Sequence, residues 1–138
     1  MTMEADHVGK CLCGEVKIEV MGEPLWVGHC HCPSCQKALA SAFATYAGFK
    51  KEAVKLTGST LKTFRSSPRV TRRFCGNCGT SISFESDAWP QEIHLHAVLL
   101  ENAADLKPEV HTYIRNCMPW VQMQDGLPRH DMFSGPHE

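Results

Sequence analysis

The sequence predicts a mainly β protein of antiparallel strands joined by short turns, with one short helix. Three observations carry this: apolar side chains recur at a period of two, Gly and Pro interrupt the chain at short intervals, and a single segment has the chemistry of a helix start. The first clear strand alternates Val16, Ile18 and Val20 with Glu15, Lys17 and Glu19. The helix is expected from Pro33, whose fixed φ suits a first helical turn, through Ser34, Cys35, Gln36, Lys37 and Ala38 to Leu39. Ile82 and Phe84 repeat the strand pattern, and Ile93, Leu95, Ala97 and Leu99 extend it. Gly14, Gly22, Gly48, Gly58, Gly76 and Gly79, with Pro24, Pro68 and Pro90, mark the turns. No repeat, linker or low-complexity tract divides the 138 residues. One domain over 9–131 with tails 1–8 and 132–138 is therefore expected, large enough to bury a core of its own.

Fourteen Lys and Arg against fifteen Asp and Glu leave the chain near neutral. Such a balance supplies no global attraction to nucleic acid or to an anionic membrane, so small-molecule partners are expected. No stretch has the apolar length of a membrane helix. Met1 to Val8 carries acids and a histidine where a secretory signal needs a hydrophobic segment, and a cytoplasmic protein is expected.

Seven of the eight cysteines fall in three clusters: Cys11-x-Cys13, Cys30-x-Cys32-x-x-Cys35 and Cys75-x-x-Cys78. In a reducing compartment such spacing reads as metal ligation rather than as a disulfide framework. Thiolates this close in sequence can share one ion about 2.3 Å away, the zinc–sulfur bond length. Cys75-Gly-Asn-Cys78-Gly79 reads as a zinc knuckle, because a glycine after the second cysteine lets backbone N–H groups turn toward sulfur. Its two ligands need two more, and Cys11 and Cys13 can supply them if the first strand folds onto the knuckle. Cys11, Cys13, Cys75 and Cys78 are then a closed structural site.

Cys30, Cys32 and Cys35 are three ligands without a fourth nearby in sequence. In extended backbone Cys30 and Cys32 share one face while His29 and His31 take the other, so the adjacent histidines point away. An ion held by three thiolates keeps a position for an incoming thiol, whose pKa it lowers. Cys30, Cys32 and Cys35 are thus the expected catalytic group, unless Cys117 or a distant histidine closes the site structurally. No general base stands out, although His29 and His31 flank the ligands.

The segment Leu61 to Arg73 holds Lys62, Arg65, Arg69, Arg72 and Arg73 and no acid. It reads first as a solvated strand face. Arg72 and Arg73 are the candidates if guanidinium groups clamp the carboxylates of a ligand. Sparse aromatics and the neutral balance argue against nucleic acid there. His94 and His96, two apart on a strand, are expected on a wet face. Tyr46, Trp26 and Trp120 are expected in the core, and Cys117 as a small buried hydrophobe.

The chain resembles the glutathione-dependent formaldehyde-activating enzymes, or S-(hydroxymethyl)glutathione synthases, whose relatives include centromere protein V. The resemblance rests on Gly9-Lys-Cys-Leu-Cys-Gly-Glu-Val16, Cys30-His-Cys-Pro-Ser-Cys-Gln-Lys37, Phe74-Cys-Gly-Asn-Cys-Gly-Thr80, His111-Thr-Tyr113, Trp120 and Asp125-Gly-Leu-Pro128. It implies several small, coiled antiparallel sheets similar to the Mss4-like group, and two zinc ions per chain. By that similarity Cys11, Cys13, Cys75 and Cys78 bind the structural ion, and Cys30, Cys32 and Cys35 the catalytic one. The reaction implied is carbon–sulfur lyase chemistry joining glutathione to formaldehyde, or a similar thiol to a small aldehyde. A non-catalytic zinc module contacting protein or nucleic acid is the alternative reading. Gln36 stands where the family commonly has a basic residue, and Ala38-Leu-Ala-Ser41 replaces a glycine-containing stretch. Both departures bear on substrate rather than on metal.

Overall fold

The computed structural model describes residues 4–133, so positions 1–3 and 134–138 of the expected tails lie outside the described residues. The expected mainly β architecture with one short helix is observed. In chain order the elements are β1 (His7–Lys10), β2 (Lys17–Val20), β3 (Trp26–Cys30), α1 (Pro33–Leu39), β4 (Ala44–Lys50), β5 (Val54–Thr57), β6 (Leu61–Ser67), β7 (Val70–Cys75), β8 (Ser81–Ser86), β9 (Glu92–His96) and β10 (Val110–Thr112). Strand β1 thus starts within the first expected tail. A three-stranded sheet runs β1-β2-β5, and a seven-stranded sheet runs β10-β3-β4-β9-β8-β7-β6. Among the described residues no helix is long and apolar enough to cross a membrane.

Among the described residues every pairing between named strands is antiparallel except β10 with β3, which is parallel, Val110 standing opposite Gly28 and Thr112 opposite Cys30. That departs from the expectation of antiparallel strands alone, since a strand arriving from the far end of the chain is not held to hairpin geometry. The apolar run after Ile93 also behaves differently. Strand β9 ends at His96, and Ala97–Leu99 turn as one 3-10 turn that leaves Val98 exposed.

The large sheet has two apolar faces, and alternation along its strands divides them. Ala47, Phe49, Ile93 and Leu95 point into the main core, where they meet Ile18 and Val20 of the small sheet. Ala44 and Tyr46 pack on the opposite face with Cys35 and Phe84. Strand β8 changes faces midway. Phe74 pairs with Ser81 while Arg73 pairs with Ser83, which leaves Ile82 as the extra residue of a bulge. Ile82 therefore enters the main core and Phe84, two residues on, the other face.

Helix α1 forms where expected. Cys32 is its N-cap, in extended conformation with its sulfur accepting from the Cys35 N–H, and Pro33 follows at the first helical position. Ala40 in left-handed conformation (φ 52°) ends it.

Candidate metal centres and adjoining cavity

Strand β7 and the turn after it bring Cys75 and Cys78 against the β1–β2 turn that carries Cys11 and Cys13, and the four sulfurs lie within 4.8 Å of one another. The Cys11 and Cys13 sulfurs are 3.6 Å apart and those of Cys13 and Cys75 are 3.7 Å apart. A tetrahedron with metal–sulfur bonds of about 2.3 Å has edges of about 3.8 Å, so this cage has the size of a four-thiolate zinc site. Gly14 and Gly79, at φ 83° and 81°, turn the backbone directly after each cysteine pair. Backbone N–H groups then donate to sulfur, from Val16 to Cys11 at 3.3 Å and from Cys78 to Cys75 at 3.5 Å. Thr80, by its hydroxyl and then its backbone N–H, lowers the Cys78 thiol to about 5, and the Thr60 hydroxyl, then the Cys78 and Asn77 backbone N–H groups, lower Cys75. At these two cysteines the site favours the charged, ligating form of sulfur, whereas Cys13, despite a bond from Asn77, is raised by burial and by the neighbouring Cys11 and Cys78 thiols. Cys11 and Cys75 also belong to the main core, so an ion here would tie the two sheets together.

Cys30, Cys32 and Cys35 gather on the other face of the large sheet, their sulfurs again within 4.8 Å. Cys30 closes β3, Cys32 caps α1, and Cys35 lies one turn into the helix. All eight cysteines are free of disulfides. Hydrogen bonds from Cys30 and Cys35 hold the Cys32 thiol down to about 2 while the Cys30 thiol is pushed up, so without a cation the three sulfurs compete for one negative charge. A divalent ion would remove that competition, and the donor set suits zinc.

Neither closing ligand considered from sequence joins this cluster. Cys117 is in no ligand group among the described residues. His29 and His31 point away as expected: His29 Nδ1 pairs with the Thr45 hydroxyl at 2.9 Å and His31 Nε2 with His111 Nδ1 at 2.9 Å. His111 in turn bonds the Asp125 carboxylate through Nε2 at 2.8 Å, which accounts for the late His111 and Asp125 motifs as a clamp holding the C-terminal segment on the β3–β10 edge. His29, His111 and Asp125 are close enough to share a cation, but both His111 nitrogens are already committed within the clamp.

Two side chains that the strand pattern did not assign to the site complete it. Arg72 is only 6% exposed, so the solvated face expected for it does not hold. Its guanidinium donates to the Tyr46 hydroxyl at 3.4 Å, the Ser34 hydroxyl at 3.3 Å and the Cys35 sulfur at 3.9 Å, and it lies 5.0 Å over the Phe84 ring. Arg73 faces the other way and pairs with Glu85 at 2.6 Å. Tyr46 places its hydroxyl 3.3 Å from the Cys35 sulfur, and burial, then the Cys35 charge, pushes its phenol well above the usual range, leaving a neutral O–H donor. The acid-free run before Cys75 was the one signal pointing to Arg72.

Beside the three cysteines opens a cavity of about 710 Å³. Cys30, Cys32 and Cys35 form part of its wall, and Trp26, Phe84, Trp89, Tyr113 and Phe133 form much of the rest. His94 and Glu92 also line it, with His94 Nε2 2.9 Å from the Glu92 carboxylate. His94 and His96 are 6% and 3% exposed, so the wet face expected for them is corrected too. They sit among aromatic rings, His96 stacked on Tyr46 and His94 on Phe84. Trp120 is 70% exposed rather than in the core, and Cys117 is half-buried. Gln36 lies outside the cavity wall and bonds the Ala42 and Asn116 carbonyls, fastening α1 to the loops around it.

A family model described as glutathione-dependent formaldehyde-activating enzyme matches residues 6–116. An uncharacterized lyase of Schizosaccharomyces pombe is 30% identical over 79 residues, 57% of this chain and 57% of that protein. The chain thus spans a little over half the length of that lyase. A Halomonas elongata protein assigned by name to the glutathione-dependent formaldehyde-activating enzymes is 25% identical over 126 residues, 84% of this chain and 80% of its own. The crystal structure of a Rhodobacter sphaeroides structural genomics target superposes with a TM-score of 0.58 at 19% identity, covering 89% of this chain and 98% of that one, a likeness of fold.

Proposed function

The chain belongs to the glutathione-dependent formaldehyde-activating enzyme family, and from that premise we propose that it is a zinc-dependent carbon–sulfur lyase that reversibly joins a thiol such as glutathione to a small aldehyde. The observation that carries the reading is the three-cysteine cluster in the wall of a cavity, with no fourth ligand joining it among the described residues. Cys30, Cys32 and Cys35 would hold the catalytic ion, and Cys11, Cys13, Cys75 and Cys78 the structural one, within a single domain over 9–131 of a cytoplasmic protein. A zinc ion at the three cysteines supplies positive charge that lowers the pKa of a thiol entering beside them.

The remaining chemistry falls to the protein's own side chains. The cavity holds the aldehyde against the thiol, which replaces a bimolecular encounter by a positioned one. Sulfur adds to the carbonyl carbon, the C–S bond forms as the C=O π bond opens, and the thiol proton ends on oxygen. Tyr46, beside the Cys35 sulfur, and Ser34, 3.4 Å from the Cys32 sulfur, are hydroxyl donors for that oxygen as its charge develops, and Arg72 holds both hydroxyls in place. Arg72 also offsets the negative charge of three thiolates, which an incoming anion would otherwise increase. Water or His94, the imidazole among the cavity residues, relays the proton.

The test is two-dimensional NMR exchange between glutathione, formaldehyde and their adduct, with the zinc-loaded protein and without it, so that the spontaneous reaction is subtracted. The proposal predicts faster exchange with protein, lost in Cys32→Ser. Exchange left unchanged with formaldehyde and with larger aldehydes alike would refute it and favour the non-catalytic zinc module.

A further inference from the structure

A one-carbon aldehyde occupies little more than a water molecule's share of liquid, about 30 Å³, and would leave almost all of the 710 Å³ beside Cys30, Cys32 and Cys35 empty. A volume of that order suits a drug-sized molecule. The wall composition narrows what that molecule can be. Among the described residues lining the cavity there is no Lys or Arg, and one of them, Glu92, is an acid. The guanidinium of Arg72, beside the three cysteines, is already engaged by Tyr46, Ser34 and Ser66. The two carboxylates of glutathione would find no Lys or Arg among the described residues of this wall. Trp26, Phe84 and Trp89 instead surround the space, with His94 at 4.6 Å from the Trp26 ring, 5.5 Å from Phe84 and 5.5 Å from Trp89. The indole of Trp26 is seated there because Gly48 opposite it has no side chain: a Cβ at Gly48 would stand 2.4 Å from the indole nitrogen. The Trp26 N–H is held by Glu92 at 3.2 Å, which fixes the ring as a wall.

We propose that this cavity is a binding site for an aryl group, and that the aldehyde partner of the carbon–sulfur reaction is therefore an aryl-substituted aldehyde rather than formaldehyde. The inference rests on the carbon–sulfur reading of the three-cysteine cluster. The aromatic rings accept the substrate ring edge to face, while the thiol's charged remainder stays outside the cavity. Addition is the same balanced step as before, with the S–H hydrogen ending on the aldehyde oxygen and no oxidant or reductant consumed.

Two measurements on the zinc-loaded protein separate the inference from the reading it rests on. In the first, acceleration over the spontaneous rate is compared for phenylacetaldehyde and formaldehyde with glutathione as common thiol. In the second, the unreactive 2-phenylethanol is titrated while the indole N–H resonances of Trp26 and Trp89 are followed by NMR. We expect at least ten-fold greater acceleration with phenylacetaldehyde, a ratio that Trp89→Ala lowers and Trp89→Phe restores, and saturable shifts with 2-phenylethanol. Equal acceleration of both aldehydes, or indole resonances that do not shift, would overturn the aryl assignment while leaving the carbon–sulfur reaction standing. Saturable shifts with neither reaction accelerated would support the aryl site and refute the carbon–sulfur chemistry.

Discussion

Replacing Arg72 by Met isolates the electrostatic part of the catalytic reading. The substitution keeps an unbranched apolar stem of similar length beneath Phe84 but removes a guanidinium 3.9 Å from the Cys35 sulfur. Two unit charges about 4 Å apart interact by about 4 kcal/mol at an effective dielectric constant of 20. The group is only 6% exposed, so solvent screens it little. Spreading the positive charge over the guanidinium and the negative charge over three sulfurs halves the figure to about 2 kcal/mol, or roughly thirty-fold in an equilibrium constant. The metal-free cluster with one thiolate and the zinc-loaded cluster both carry about one negative charge, so the step that Arg72 favours is entry of a further thiolate, and calorimetric titration of glutathione into the zinc-loaded protein should show its affinity weakened by roughly that factor. Arg72→Lys should fall between, since it restores charge without the fork that reaches Tyr46 and Ser34 together. Circular dichroism melts show whether each variant is folded. A folded, zinc-loaded Arg72→Met protein that binds glutathione as tightly as the parent would refute the claim that this side chain offsets thiolate charge.

Loss of a single sulfur should have opposite consequences at the two centres. Cys32→Ser leaves a good helix cap at α1 and should keep the melting temperature within about 3 °C while abolishing activity. In Cys78→Ser one ligand of four is lost from a site worth on the order of 10 kcal/mol, so a cost of about 3 kcal/mol and a melting temperature lower by about 10 °C are expected; equal melts would remove the distinction. His96 gives a pH signature. Burial, then the Arg72 charge, lowers its imidazole from 6.5 to about 4. The unfolded chain therefore takes up this proton near 6.5 and the folded one does not until about 4. The stability due to neutral His96 is complete above 6.5 and is lost as pH falls toward 4, by up to about 3 kcal/mol. An NMR titration of the His96 ring should give a midpoint near 4, and a midpoint near 6.5 would contradict its buried position.

The local signals in the sequence were strong where one residue type dictates geometry. Pro33 after a capping residue set the helix, and glycine after each cysteine pair set the turns that let backbone N–H groups reach sulfur. The strand period brought Ile18, Val20, Ile93 and Leu95 correctly to the main core. Other features depend on contacts far apart in the chain. A period of two puts Ile82 and Phe84 on one face, but the bulge between Ser81 and Ser83 sends them to opposite faces. Arg72 looks solvent-facing in a run of cations, yet it is buried because Tyr46, Ser34 and Cys35 converge on it from two other elements. His94 and His96 are dry because the second face of the large sheet is itself apolar, which alternating polarity alone does not reveal. The parallel β10 strand arises from pairing with β3 and from the His31–His111 bond, both formed across some eighty residues of chain, with Asp125 closing the clamp from 14 residues further on.

The central claim concerns the fourth position at the three cysteines. A crystal structure of the protein purified with zinc, with anomalous data collected at the zinc edge, tests it most directly. The account predicts two peaks per chain, the second about 2.3 Å from the sulfurs of Cys30, Cys32 and Cys35, with water or added glutathione completing its coordination on the cavity side. A protein side chain in that position, or no peak there, would contradict it.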